Sequence, residues 1–337
     1  MSGPVGRPLS TAAGSTTPPT GAAAPDATAV RLAAPAKVNL RLRVLAREAS
    51  GYHQLETLFC ALTLADELAV ERAGTGIRLE VEGAALGPPE ANLAHRAARA
   101  FFDAARITPG VRIRLVKNVP AGAGLGGGSS DAAATLRALN ALHGTPLAHE
   151  ELLRLGTALG SDVPFFLCGS ALALAWGRGE RLLALPALPP APVLIAMPPF
   201  EISTADAYRA LDDSTQLGGG GGHGAHGPRA PACAEPAVLR PELFATWEAV
   251  AAAAVNDFER PTFQRFPELA RAKDTLARAG AAPALLAGSG AALFGIFADA
   301  RVRDGAAAAL ARLLPDLRLI RTATAGPAGA STAAALG

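Results

Sequence analysis

An excess of charge of either sign is missing from this chain. Its 31 Lys and Arg stand against 29 Asp and Glu, a formal net charge of +2. That balance excludes a protein held on nucleic acid by a basic surface. Cysteine is sparse as well: Cys60, Cys168 and Cys233 are scattered and odd in number. They lack the paired spacing of a zinc site or a disulfide framework and suit a reducing compartment. No apolar run could cross a bilayer as a helix. The most apolar stretch, Leu182 to Phe200, carries prolines at 186, 189, 190, 192, 198 and 199, and proline breaks a helix interior. Residues 1–29, rich in Pro, Gly, Ser, Thr and Ala, contain no apolar segment of the secretory kind and read as a disordered tail. Aromatic residues are only 5% of the chain, with tyrosine at Tyr52 and Tyr208 alone, and only three residues are lysine.

What is present suffices for a sizeable core. Half of the 337 residues are hydrophobic and the mean hydropathy is +0.25, far from a disordered composition. The length predicts two packed modules. Alternation of apolar and polar residues from Val38 to Val44 predicts a half-buried strand. Further strands are expected at 57–68, 77–81, 111–115, 171–176 and 193–197. Helices are expected at 92–105 with Asn92 as N-cap, at 129–142, 150–159, 205–211, near Ala249, and at 268–279 and 306–314. Gly160 to Pro164 reads as a turn. The proline-rich segment 186–192 divides a first domain, 30–185, from a second, 186–323, which carries a flexible insert at 215–235 around the glycines 218–222. Residues 324–337 read as a second loose tail. His223 and His226, inside the insert, read as solvated loop residues.

The most informative segment is Pro120-Ala121-Gly122-Ala123-Gly124-Leu125-Gly126-Gly127-Gly128-Ser129-Ser130. It contains the spacing of a dinucleotide fingerprint, but the strand before it alternates, unlike a central parallel strand. No Lys-Ser/Thr pair follows the glycines, which excludes a Walker loop. The physical content survives both exclusions. Glycines admit a polyphosphate close to the backbone, and the N–H groups at the start of the following helix face the anion. A merely flexible loop capped by Ser129 is the plainer alternative.

That segment resembles the phosphate-binding motif of the galactokinase, homoserine kinase, mevalonate kinase and phosphomevalonate kinase superfamily. Pro35-Ala-Lys-Val-Asn-Leu40, Gly51-Tyr-His-Gln-Leu-Glu-Thr-Leu58 and Gly160-Ser-Asp-Val-Pro-Phe165 narrow the resemblance to its 4-diphosphocytidyl-2-C-methyl-D-erythritol kinase family. Gly288-Ser289-Gly290 is similar to the superfamily's third motif. The resemblance spans about residues 30 to 323. It implies a two-domain α+β fold, with the phosphate loop in a left-handed βαβ unit and a ferredoxin-like second domain. It also implies a cytoplasmic ATP-dependent kinase, monomeric or homodimeric, acting on the small molecule 4-diphosphocytidyl-2-C-methyl-D-erythritol, with no nucleic-acid or membrane partner. Ala123 departs from the pattern, where glycine is expected in many relatives.

The resemblance also assigns roles. Lys37 and Asp162 become the catalytic pair, the ammonium neutralising the transferring phosphoryl group and the carboxylate accepting or orienting the substrate hydroxyl. As local chemistry alone, Lys37 could be a strand-edge cation and Asp162 a turn former. Residues 120–130 take ATP. Tyr52 and Tyr208 become aromatic walls around cytosine, with His53 reading its edge, and Thr204 lies near Tyr208. Asn39, on the same strand face as Lys37, and Gly288, Ser289 and Gly290 complete the substrate site. Mg²⁺ is expected to arrive with ATP and to touch the protein lightly, with Ser130 as a candidate ligand. The first rival is a superfamily kinase acting on mevalonate or homoserine, against which Gly51-Tyr52-His53 argues, since those substrates carry no base. The second is a nucleotide-binding regulatory protein without turnover, against which Lys37 and Asp162 argue.

Overall fold

The computed structural model describes residues 28–84, 87–217, 239–326 and 333–336. The expected tail at the N-terminus and nearly all of the glycine insert, with both its histidines, lie outside them. Two long strands, β1 (Ala29–Arg47) and β2 (His53–Arg72), form an antiparallel pair at the centre of the first sheet. β3 (Gly76–Glu82) runs parallel to β4 (Gly110–Val116), and α1 (Leu93–Ala105) connects them. The Asn92 side chain accepts the Ala94 N–H and so caps α1, as the sequence predicts.

α2 (Gly127–Leu142), begun two residues earlier than expected, is buried on most sides because its alanines let α1 and the sheet approach closely. α3 (His149–Leu159) follows. Residues 160–164, expected to be a turn, instead lead into a short helix, α4 (Val163–Leu167). Pro164 suits its first turn, where no N–H is needed. β5 (Leu172–Gly177) and β6 (Arg181–Leu185) form a hairpin added to β2.

β7 (Pro192–Met197) opens the second sheet. α5 (Thr204–Leu217), α6 (Trp247–Ala253), the two-residue β8 (Val255–Asn256), α7 (Glu259–Arg265) and α8 (Pro267–Arg278) follow. β9 (Ala284–Leu286), β10 (Leu293–Ile296), α9 (Ala300–Leu313) and β11 (Arg318–Ala323) complete it, in the strand order β11-β7-β10-β9. β7 reads as an unbroken apolar run because both its faces are covered. Val193 and Ile195 pack toward the first sheet, while Leu194 and Ala196 pack against α8 and α9. The architecture is α+β.

Three features depart from the expected plan. β8 pairs in parallel with Arg41 and Leu42 of β1, so the second half of the chain lends a strand to the first sheet. One buried cluster, containing Leu58, Val193 and Phe294, joins the two sheets across the expected domain boundary. The chain end is also tied in: Thr324 and Ala325 hydrogen-bond to Ala191 and Ala61, and β12 (Ala333–Leu336) pairs antiparallel with β1 where a loose tail was expected. Among the described residues no helix is long and apolar enough to cross a membrane.

Candidate active site

β1 does not keep the half-buried alternation its sequence suggests. Val30, Leu32 and Ala34 face the cluster under α1 and α2, but a register shift between Pro35 and Lys37 turns the strand over. Beyond it Ala36, Val38 and Leu40 face the second sheet. The odd positions now point toward α2. Lys37, 4% exposed, and Asn39, 3% exposed, are therefore buried rather than solvated.

Lys37 Nζ lies 3.2 Å from Asp162 Oδ2 and 2.8 Å from Asn39 Oδ1, and sits 5.4 Å from the centre of the Phe59 ring. The Asp162 side chain keeps 30% of its exposure, so this carboxylate opens outward while the ammonium is enclosed. The sequence places the two residues 125 positions apart. The bulge in β1 and the Pro164-initiated α4 bring them together.

The glycine segment wraps around this pair. The Lys37 N–H donates to the Leu125 carbonyl at 2.8 Å, and a Cβ added to Gly126 would meet Lys37 Cγ at 2.9 Å. Gly122, Gly124 and Gly126 have φ of +68°, +75° and +72°, the left-handed region that favours glycine. Between them Ala123 and Leu125 turn inward and anchor the segment in the shared core. The departure at Ala123 is thus accommodated by a methyl group buried in the shared core. On the open side, Asn92, Leu93, Lys117, Pro120 to Ser129 and Asp131 line a cleft of about 350 Å³ that ends at the N-terminus of α2. Two buried oxygens there, Ser130 Oγ and Asp131 Oδ1, have no hydrogen-bond partner among the described residues.

Gly288 borders the same place, since a Cβ on it would lie 3.6 Å from Lys37 Nζ. Its loop is clamped by a residue the sequence analysis did not single out. Asn256 Nδ2 donates to the Leu286 and Gly288 carbonyls, both at 2.8 Å, while Asn256 Oδ1 accepts the Phe258 N–H. The Thr204 and Ser289 hydroxyls meet at 3.3 Å, joining α5 to this loop.

A second cationic centre was also missed as a functional feature. Lys117, one of only three lysines, is enclosed between Asp66 and Asp131, with Asp131 Oδ2 at 2.6 Å. Asp66 also accepts the Asn118 and Val119 N–H groups at 2.6 and 2.7 Å, holding the start of the phosphate loop. Burial pushes the Asp131 carboxyl up to about 7; Lys117 opposes the shift and the Asp66 charge adds to it. An unfolded aspartate titrates near 3.9. The folded state therefore keeps this proton while the unfolded state releases it, and stability from Asp131 is present at pH 4 and lost as pH rises toward 7. The melting temperature should fall by several degrees between pH 5 and 8, and Asp131→Asn should flatten that slope. Thermal unfolding across pH checks this, an unchanged slope in the variant being the adverse result.

His53, not Tyr52, stacks on Tyr208, with ring centres 4.5 Å apart and planes 20° from parallel. His53 Nε2 also meets Asp212 Oδ1 at 3.0 Å. Burial first, and then the nearby Asp162 charge, pushes the Tyr208 hydroxyl up to about 12. Tyr52 is 58% exposed, and the Arg178 guanidinium lies 3.9 Å from the centre of its ring. Arg178, from the turn between β5 and β6, is held by Glu48 at 2.6 Å. Gly179 in that turn lies against Ser161, next to Asp162: a Cβ there would approach the Ser161 carbonyl oxygen at 3.0 Å. Among the described residues no group of three or more His, Cys, Asp or Glu could cage a metal.

The chain is similar to known proteins over most of its length. Residues 92–170 match the GHMP kinases N terminal domain and residues 236–316 the GHMP kinases C terminal model. The chain is 41% identical over 286 residues to 4-diphosphocytidyl-2-C-methyl-D-erythritol kinase of Moorella thermoacetica, covering 85% of this chain and 96% of that one. It is 42% identical over 285 residues to the enzyme of the same name from Deinococcus radiodurans, covering 84% and 89%. A crystal structure of 4-(cytidine 5'-diphospho)-2C-methyl-D-erythritol kinase superposes with a TM-score of 0.70 at 38% identity, over 88% of this chain and 99% of that one. Mevalonate kinase of L. major, at 15% identity and a TM-score of 0.65, shares the fold.

Proposed function

This chain belongs to the 4-diphosphocytidyl-2-C-methyl-D-erythritol kinase family, and on that premise we propose that it carries the γ-phosphate of ATP to the 2-hydroxyl of 4-diphosphocytidyl-2-C-methyl-D-erythritol through Lys37 and Asp162. The enzyme is an ATP-dependent phosphotransferase. The observation that carries the reading is the 3.2 Å approach of Lys37 Nζ to Asp162 Oδ2 beside Gly126, where the phosphate loop meets α2.

The N–H groups at the start of α2 offer an anion site, and the positive-φ glycines leave room for phosphate oxygens against the backbone. Lys37 has three N–H donors. Asn39 and Asp162 take two, which leaves one for a phosphoryl oxygen. Its charge then offsets the negative charge that develops during transfer. The Asp162 carboxylate, on the open side of the pair, accepts the proton of the attacking alcohol as the new O–P bond forms and the bond to the leaving ADP breaks. The partnerless Ser130 hydroxyl at the start of α2 suits a hard cation and would hold Mg²⁺. Bound with ATP, Mg²⁺ neutralises polyphosphate charge. The reaction belongs in the cytoplasm, a setting that unpaired Cys60 and Cys168 suit.

Cytosine recognition falls to Tyr52, His53 and Tyr208. Arg178 braces one face of Tyr52 and leaves the other for the base. A base stack contributes about 1 to 3 kcal/mol. Tyr52→Ala should therefore raise KM for the cytidylated alcohol about 5- to 150-fold while leaving KM for ATP unchanged. Equal losses for both ligands would assign the ring to packing. The function itself is tested by ADP release from the purified protein with cytidylated and plain polyols. Turnover confined to the cytidylated alcohol is expected. Equal turnover of mevalonate or homoserine would overturn the assignment.

A further inference from the structure

We propose that Thr57 is a positioning residue for phosphoryl transfer, its hydroxyl fixing which end of the Asn39 amide faces Lys37. The inference rests on Lys37 being catalytic and adds a residue behind it. Thr57 is 1% exposed on β2 and reaches neither the cleft nor Lys37 directly. Its Oγ1 lies 2.7 Å from the Arg41 carbonyl oxygen and 2.8 Å from Asn39 Nδ2.

The direction of these bonds follows from chemistry. A carbonyl oxygen only accepts, so the single Thr57 proton goes to Arg41. Toward Asn39 the hydroxyl oxygen can then only accept, and the amide must present its NH₂ group there. The amide oxygen is thereby turned to Lys37 Nζ, 2.8 Å away. With the amide reversed, an NH₂ would face the ammonium, and two buried donors would meet with no acceptor between them.

Backbone geometry supplies the arrangement. β1 and β2 shift register between Asn39 and Arg41, and at this irregularity the Arg41 carbonyl takes a side-chain hydroxyl. The result is a one-way chain from the Arg41 carbonyl through Thr57 and Asn39 to Lys37. Without the hydroxyl, Asn39 Nδ2 loses its acceptor among the described residues, and the amide oxygen is no longer held toward Lys37.

Thr57→Val keeps the shape and removes the hydroxyl. It should lower kcat about 10- to 100-fold with KM for ATP and for the cytidylated alcohol each within about 3-fold of wild type, and Thr57→Ser should restore most of the loss. In an Asn39→Ala background the same change should alter kcat by less than about 2-fold, because Thr57 acts only through Asn39. Unchanged kcat in Thr57→Val, an equal defect in Thr57→Ser, or a full multiplicative loss on top of Asn39→Ala would each overturn the proposal. If the valine variant does not fold, Thr57→Ala in the same two backgrounds carries the same outcomes. The two failures are distinguishable: absent wild-type turnover strikes the kinase reading, whereas normal turnover in Thr57→Val strikes only this one.

Discussion

Asp162→Asn should lower kcat by about 10² to 10⁴, the range for removing a general base, with KM for ATP nearly unchanged. The substitution keeps size and shape, and the residue's place before α4 does not depend on its charge, since no side-chain cap bond is made there. Two things are lost. The amide cannot take the alcohol's proton, and Lys37 no longer has an anion 3.2 Å away to hold it beside the phosphate loop. Nucleotide binding is unaffected because Asp162 is not among the residues that line the phosphate-loop cleft. Steady-state ADP release against varied ATP checks both parts. Turnover equal to wild type would remove Asp162 from the mechanism.

Gly124→Ala should cost at least about 10-fold in ATP affinity and several degrees in melting temperature. At φ +75° an alanine adopts a conformation about 1 to 2 kcal/mol unfavourable. The larger obstacle is spatial: the added Cβ would overlap the Ala287 carbonyl oxygen, and Gly290 O lies 3.4 Å away. Both are backbone atoms of the loop clamped by Asn256, so neither can swing aside. Either the phosphate loop or the Gly288 loop must shift, and both border Lys37. Gly128→Ala is the control within the same motif. Its Cβ would meet only Leu93 Cδ1 at 3.6 Å, an ordinary contact, so a near-normal melting temperature is expected. Titration of ATP against both variants, with thermal unfolding, separates them. Equal behaviour of the two would mean that the close approach at Gly124 is unimportant.

Much of the scaffold was legible because local rules fixed it. The Asn92 cap, the apolar face of α1 and the alternation in β4 all appear where the sequence places them. The functional motifs were legible through resemblance more than through physics. A lysine at the start of an alternating strand looks solvated, and only the register shift after Pro35 turns Lys37 and Asn39 into the interior. Such a shift depends on pairing with β2, which no local pattern encodes. The same limitation hid Asn256, whose amide acts on carbonyls 30 and 32 residues away. Lys117 carried a detectable signal, its rarity in an arginine-rich chain, but its partners Asp66 and Asp131 come from β2 and α2. The arrangement around the two tyrosines was not legible because adjacent Tyr52 and His53 project differently, and it is His53 that stacks on Tyr208.

The central claim is that Lys37 and Asp162 serve one reacting alcohol as a unit. The direct measurement is kcat for Lys37→Met, Asp162→Asn and the double variant under saturating substrates. Groups acting as a unit are strongly non-additive, so the double variant should lie within about 3-fold of the slower single variant. A double-variant loss equal to the product of the two single losses would mean that the two side chains act independently, and the shared-site account would be wrong.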